Sequence, residues 1–265
     1  MLQNFLVFLG IVLALVGVIT LGFVIAPRPF RPHPVPSAPG EPRRMRADLP
    51  TSLRRHFSET VGETPQAITS AVLWGRGRAN VRGIWLPMRF KVWYLPGQGF
   101  YRRMEVTWFQ RPVLRGFERL VDGRGLQHMS SGEERGEHID QSLTLALWAA
   151  AVWMPSTLVH DESLHWEAVD DDTARLVFPF HNATESLLFH FDPETHRMTH
   201  ISGSRYSPEG HEKEPWRMDL MTWKTFHGLL IPCQVAVAWG ESGAPSSYWT
   251  VEGIAYNVNV ADQLA

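Results

Sequence analysis

The sequence predicts a mainly β domain of the α+β class. It is a curved antiparallel sheet or half-barrel of about ten strands covering a central helix, with one N-terminal transmembrane helix. Three observations predict it: a charge-free apolar run over residues 5–26, two-residue alternation of apolar and polar side chains through most of the body, and one long apolar helical stretch interrupting that alternation. With 265 residues, 44% hydrophobic and 11% aromatic, the chain can bury a sizeable core. Cys233 is the single cysteine, which rules out an internal disulfide and a cysteine-based zinc site.

After a short tail, 1–4, the run Phe5–Ala26 holds 22 residues without a charge. At a rise of about 1.5 Å per residue it reaches about 33 Å, enough to cross a bilayer core. A cleaved signal peptide is the competing reading. Against it stand the length of the run, the lack of Lys or Arg before it, and Pro27 directly after Ala26, the small residue a cleavage would use. Residues 27–46, rich in Pro and Arg, have neither helical nor strand periodicity and read as a stiff extended spacer holding the body off the membrane. Residues 1–46 carry five arginines against Glu41, which leaves −6 for the remainder of a net −2. The body is therefore mildly acidic and nothing in it indicates nucleic acid as a partner. The arginine flank suits anionic headgroups, and by the positive-inside rule it would keep the body cytoplasmic.

Residues 47–265 read as a single domain. Over 49–61, Leu49, Leu53, Phe57 and Val61 recur at four-residue steps, Asp48 or Thr51 can cap the start and Gly62 the stop, which predicts a short amphipathic helix. Strands are predicted over 71–79, from Ile84 to Tyr94, and from Phe100 to Trp108, where Phe100, Met104, Val106 and Trp108 share one face. Asp122-Gly123 between two apolar runs marks a hairpin. A helix over 140–154, with Asp140 as cap and Pro155 as stop, is apolar almost all round and should be covered on most sides. Strands follow over 163–170, 174–180, the 185–206 hairpin, 216–226, 229–239 and 246–260, with a charged turn over 207–215. The stretches from Gly83 and from Gly228 share a proline four residues on, as two equivalent hairpins would.

In order, the apolar helix, "DLP...RRHF", "VWMPSTLV", "FHFDPETHRMTHI", "GLLIPCQV" and "GIAYNV" resemble a bacterial family of membrane-anchored proteins catalogued as a domain of unknown function. More distantly, the order of strand, helix and hairpin is similar to the LolA/LolB-like lipoprotein-carrier fold. That resemblance implies an apolar cavity for acyl chains and an extracytoplasmic domain in the bacterial envelope, against the side the arginines favour.

The densest cluster of potential ligands is His190, Asp192, Glu194, His196 and His200. With "PETH" as a four-residue loop, Asp192 closes against Arg197, His196 takes a left-handed position, and Phe189 faces His200. His190 and His200 would then lie on opposite faces and share no metal. A second cluster, His160, Asp161, Glu162 and His165, follows Pro155 in an expected loop but matches no metal motif. It could serve a metal-dependent hydrolase; a solvated loop is the plainer reading. No nucleophile elbow or phosphate loop appears, and neither a catalytic residue nor a cofactor is indicated. The tryptophans are more suggestive. Trp148, Trp153, Trp108, Phe189 and Trp223 are the candidates to line an apolar cavity closed by the 140–154 helix, although the same rings would serve a plain core. The reading is a membrane-anchored, non-catalytic protein binding lipid, an acyl chain or a lipoprotein. A structural or regulatory envelope protein that binds a protein partner through a sheet edge is the remaining alternative.

Overall fold

The computed structural model describes residues 1–264 except 36, 39, 131 and 208–211, so the tip of the charged turn over 207–215 lies outside the described residues. Helix α1 (Leu2–Val24) is long and apolar enough to cross a membrane. Helix α2 (Thr51–Thr60) buries Leu53 and Phe57, as the four-residue spacing predicts, and also His56, which that spacing does not include. Its cap is Pro50 rather than a side chain of Asp48 or Thr51.

Thirteen strands, rather than about ten, are found among the described residues, and all pair antiparallel in one sheet. The first meander is β1 (Ala71–Val81), β2 (Ile84–Leu95), β3 (Gly99–Trp108), β4 (Arg111–Val121), β5 (Arg124–Met129) and β6 (Gly132–Glu134). Helices α3 (Glu137–Ala150) and α4 (Pro155–His160) follow. The second meander is β7 (His165–Asp170), β8 (Thr173–Phe180), β9 (Ala183–Phe191), β10 (Met198–Tyr206), β11 (Lys213–Phe226), β12 (Leu229–Trp239) and β13 (Pro245–Tyr256), and α5 (Ala261–Leu264) ends the described chain. Pairing of β1 with β13 joins the meanders, which puts β6 and β7 at the two edges. Consecutive hairpins explain most of this order, and the alternation of the sequence sets their faces. Both echoed glycines turn hairpins, Arg82-Gly83 and His227-Gly228, each with two positive φ angles as a two-residue turn requires.

Laid flat, thirteen strands about 4.8 Å apart would be close to 58 Å wide. Yet α3, a rod about 10 Å across, touches β3, β4 and β5 on one flank and β9 and β10 on the other. The sheet therefore bends around the helix. Every α3 residue from Ile139 to Ala150 is buried, consistent with an apolar pattern on all sides. The helix expected over 140–154 begins earlier, at Glu137, and its last turn, Ala151–Trp153, tightens to a 3-10 turn. Pro155 opens α4 instead of simply ending a helix, since its fixed φ suits a first helical position. Asp140 is not the cap. It lies inside the first turn and its carboxylate accepts from the Gly125 amide at 2.5 Å, while Gly136 at φ 133° makes the entry.

Two ends of the sheet can be told apart. At one, Trp108 Nε1 donates to the Ile19 carbonyl (3.1 Å) and the Phe109 amide to the Gly22 carbonyl (2.9 Å), so α1 is seated on the β3–β4 turn. Helix α3 starts between the β4–β5 turn, where Asp140 takes the Gly125 amide, and the end of β10, where Ser142 Oγ donates to the Tyr206 carbonyl, and it runs to the end of the sheet away from Trp108. There Trp153 Nε1 donates to the Pro232 carbonyl and the Tyr256 hydroxyl to the Trp153 carbonyl, both at 2.7 Å. Residues 27–46 do not hold the body away from α1. Carbonyls of Pro27, Arg28 and Arg31 accept from Arg76, Arg89 and Lys91, and the Phe30 ring lies beneath Arg89 and Arg103. Proline leaves this stretch few backbone donors of its own, and outward-facing basic side chains of the sheet supply them, so the spacer becomes a strap.

Candidate functional site

Four of the five candidate cavity residues meet in the main core. Trp148 packs against Phe178, with ring centres 5.8 Å apart, and Trp153 is fixed by its bond to Pro232. Phe189 is fully buried edge-on to Trp166 at 5.0 Å, and Trp223 is half-buried beside His56 at 5.3 Å with Arg197 over its ring. Trp108, the last residue of β3, stands apart: its ring lies against Gly22 of α1 and its Nε1 bonds to Ile19. Beneath the C-terminal half of α3 the interior is thus filled with side chains.

The 160–165 cluster does not converge. His160 Nε2 bonds to the Arg43 carbonyl (2.9 Å), Asp161 takes the Ser163 amide and hydroxyl, Glu162 pairs with Arg43 (3.0 Å) and His165 turns to Glu167 (3.7 Å). Among the described residues no three His, Cys, Asp or Glu side chains are placed to hold one metal ion, so the hydrolase alternative is left without a site there.

In the 185–206 hairpin the tip is as predicted: His196 has φ 52° and the Asp192 amide donates to the Arg197 carbonyl at 2.9 Å. The register beyond it is not. A β-bulge at Thr199 sets His200 opposite His190 and Phe189 opposite Ile201. Their imidazoles stack on the same outer face, 4.1 Å apart and 10° from parallel, correcting the expectation of opposite faces. One unpaired residue reverses the alternation after it. Burial, then each other's charge and Arg217, holds the His200 imidazole down at about 4, and burial lowers His190 as well.

What the alternation overlooked is polar. Arg102 occupies the same strand parity as Phe100 and Met104, and Arg205 the same parity as Ile201 and Gly203, so both guanidiniums enter the concave side. Arg102 pairs with Glu118 of β4 and lies over Phe100 and Trp249, at 5.4 and 5.3 Å. Arg205 lies over Trp216 and Trp239, at 5.4 and 5.0 Å, and its Nε donates to Ser142 Oγ of α3 at 2.9 Å. Arg205 is 7% exposed and has no carboxylate within ion-pair distance among the described residues. Burial, with Arg102 nearby, pushes it down to about 9 against the pull of Glu118, so it stays charged at neutral pH. Around these cations Met104, Val237, Trp239 and Trp249 are only partly covered. Val237 and Trp239 lie towards the α1 end of the sheet, and Trp249 and Met104 lie further in along the strands.

A family model described as a family of unknown function, DUF6544, matches residues 41–251. The chain belongs to this family. No curated protein matches it. Among solved structures, a putative outer membrane lipoprotein-sorting protein domain from Vibrio parahaemolyticus is similar at 9% identity, covering 73% of this chain and 88% of that one with a TM-score of 0.42. A LolA superfamily protein from Nitrosomonas europaea is similar at 12% identity, 81% and 96% coverage and a TM-score of 0.46. A DUF1329 family protein from Desulfovibrio piger follows at 11% identity, 74% and 88% coverage and 0.42.

Proposed function

We propose that this chain is a membrane-anchored, non-catalytic binding protein, carrier-like in that it receives the apolar part of a lipid, acyl chain or lipidated partner on the concave face of its sheet. The observation that carries the reading is one of placement. The half-covered Val237 and Trp239 lie at the end of the sheet where Trp108 and Phe109 bond to the last two turns of α1, and the rings and side chains of Trp249 and Met104 continue inward from them. With α1 spanning a bilayer, those bonds set the concave mouth beside the headgroups, where tryptophan rings and arginine stems are at home. Burial of an acyl tail against these rings would yield roughly 25 cal/mol per Å² of apolar surface.

The edge-strand alternative fares less well. The edges are β6, three residues long, and β7, which carries His165, Glu167 and Asp170. Short and charged edges discourage a further strand.

To test the proposal, the full chain is extracted in polymer-bounded native membrane discs, and lipid retained through washing is identified by native mass spectrometry. A fluorescent long-chain fatty acid should then compete for the same population. Failure of any lipid to be retained, together with no saturable competition above empty discs, would refute it. The side of the membrane is decided separately by a C-terminal reporter fusion, since the arginine flank and the family resemblance point to opposite sides.

A further inference from the structure

The concave patch contains hydrogen-bond donors in excess. Among the described residues, Arg102 Nε and Trp216 Nε1 are both buried without an acceptor and the Arg205 guanidinium has one, Ser142 Oγ. Arginine and the indole N–H can only donate. Buried polar groups left in this state in a native protein call for an explanation, because each costs free energy that a bound acceptor would recover. Charge gives the same answer. Arg102 and Glu118 neutralise one another, and Arg205 remains as one uncompensated cation that is more than nine-tenths buried.

We infer that Arg205, with Arg102 beside it, is the head-group site for a long-chain carboxylate whose tail lies along Trp239 and Trp249. A single excess charge selects a monoanion, and the guanidinium fork fits the two oxygens of a carboxylate. Met104 and Val237, half-covered next to the rings, continue the apolar wall for the tail. This inference rests on the amphiphile-binding reading above and specifies the chemistry of that ligand.

The test compares saturable binding of labelled palmitate and labelled hexadecanol to the full chain in phosphatidylcholine nanodiscs, corrected with empty discs. Palmitate should bind at least about tenfold more tightly, as a charge-assisted pair in place of a neutral hydroxyl allows. Arg205→Met should abolish that preference and leave hexadecanol binding in place. A measurement that needs no variant is the pH titration of carboxyl-labelled palmitate by carbon NMR: the bound head should ionise at lower pH than palmitate dissolved in the disc. Equal affinity for acid and alcohol, or a bound carboxyl that titrates like the free lipid, overturns the head-group site while the binding reading stands. Absence of saturable binding by either ligand overturns both.

Discussion

His56 ties α2 to the hairpin of β9 and β10, and acid should cut that tie. The imidazole is 2% exposed, boxed by Phe57, Phe191 and Trp223 with ring centres 5.0, 5.6 and 5.3 Å away, and Nδ1 accepts the Met198 amide at 3.2 Å. Burial first, and Arg197 to a lesser degree, hold it down at about 3 even though a bond to the His196 backbone acts in the other direction. A histidine depressed in the folded state binds fewer protons there than in the opened state. Its contribution is therefore whole above the ordinary value near 6.5 and is lost as the pH falls from there towards 3. Taking the pH from 7 to 5 should cost about 2 kcal/mol, roughly 25-fold in the opening equilibrium of α2. That figure depends on the opened-state value, because pH 5 lies above the folded one. Hydrogen exchange of α2 peptides, read by mass spectrometry on the full chain in nanodiscs and corrected for intrinsic rates, measures it directly. His56→Gln keeps an acceptor for Met198 and does not titrate, so it should remove the acid sensitivity. Unchanged α2 protection between pH 7 and 5 in the natural protein, or a Gln variant as acid-sensitive as the parent, would refute the reasoning.

Phe189→Ala should cost about 3–5 kcal/mol, since the ring is fully buried against Trp166 and the surrounding strands cannot collapse onto the space; differential scanning fluorimetry should show a drop of about 10 °C in the unfolding midpoint. Arg205→Met should leave the midpoint unchanged or raise it, because it removes a buried cation that has no carboxylate partner among the described residues; a clear fall would mean that Arg205 is structural. Gly22→Val would set a Cβ about 2.0 Å from Trp108 Nε1, so the indole must leave and exchange at the β3–β4 turn should rise, while Gly17→Val, which meets nothing, should not change it. His200 should titrate near 4 by nitrogen NMR, losing its share of stability as the pH falls from 6.5 through that value; a titration at 6.5 would show that the stacked pair does not form.

Much of the fold is legible in the chain because its signals are local. Ile84 to Tyr94 alternates without interruption and becomes β2, and Asp122-Gly123 turns β4 into β5. The three-residue edge strand β6 escaped the reading because it is too short to show a period. The stacked imidazoles escaped it for a different reason. Register counting assumes one residue opposite one residue, and nothing in "RMTHI" announces that Thr199 would be left over. The arginines were within reach, since Arg102 sits between two residues already assigned to the inner face; a cation at an inward position is the signal that could have been followed.

By itself the sequence determined what depends on neighbours along the chain: an apolar helix long enough for a bilayer, the alternation that makes strands, the turns that join them, and an all-round apolar helix that had to be covered. Tertiary structure alone decided what depends on curvature and on separation along the chain. Wrapping the sheet around α3 brings Arg102, Glu118 and Arg205 of three different strands to one patch and leaves one charge over. It also seats α1 at the end of the sheet where Arg205 and Trp239 lie. The physical reason is that periodicity fixes which face a side chain takes, whereas the bending of the whole sheet fixes which faces meet.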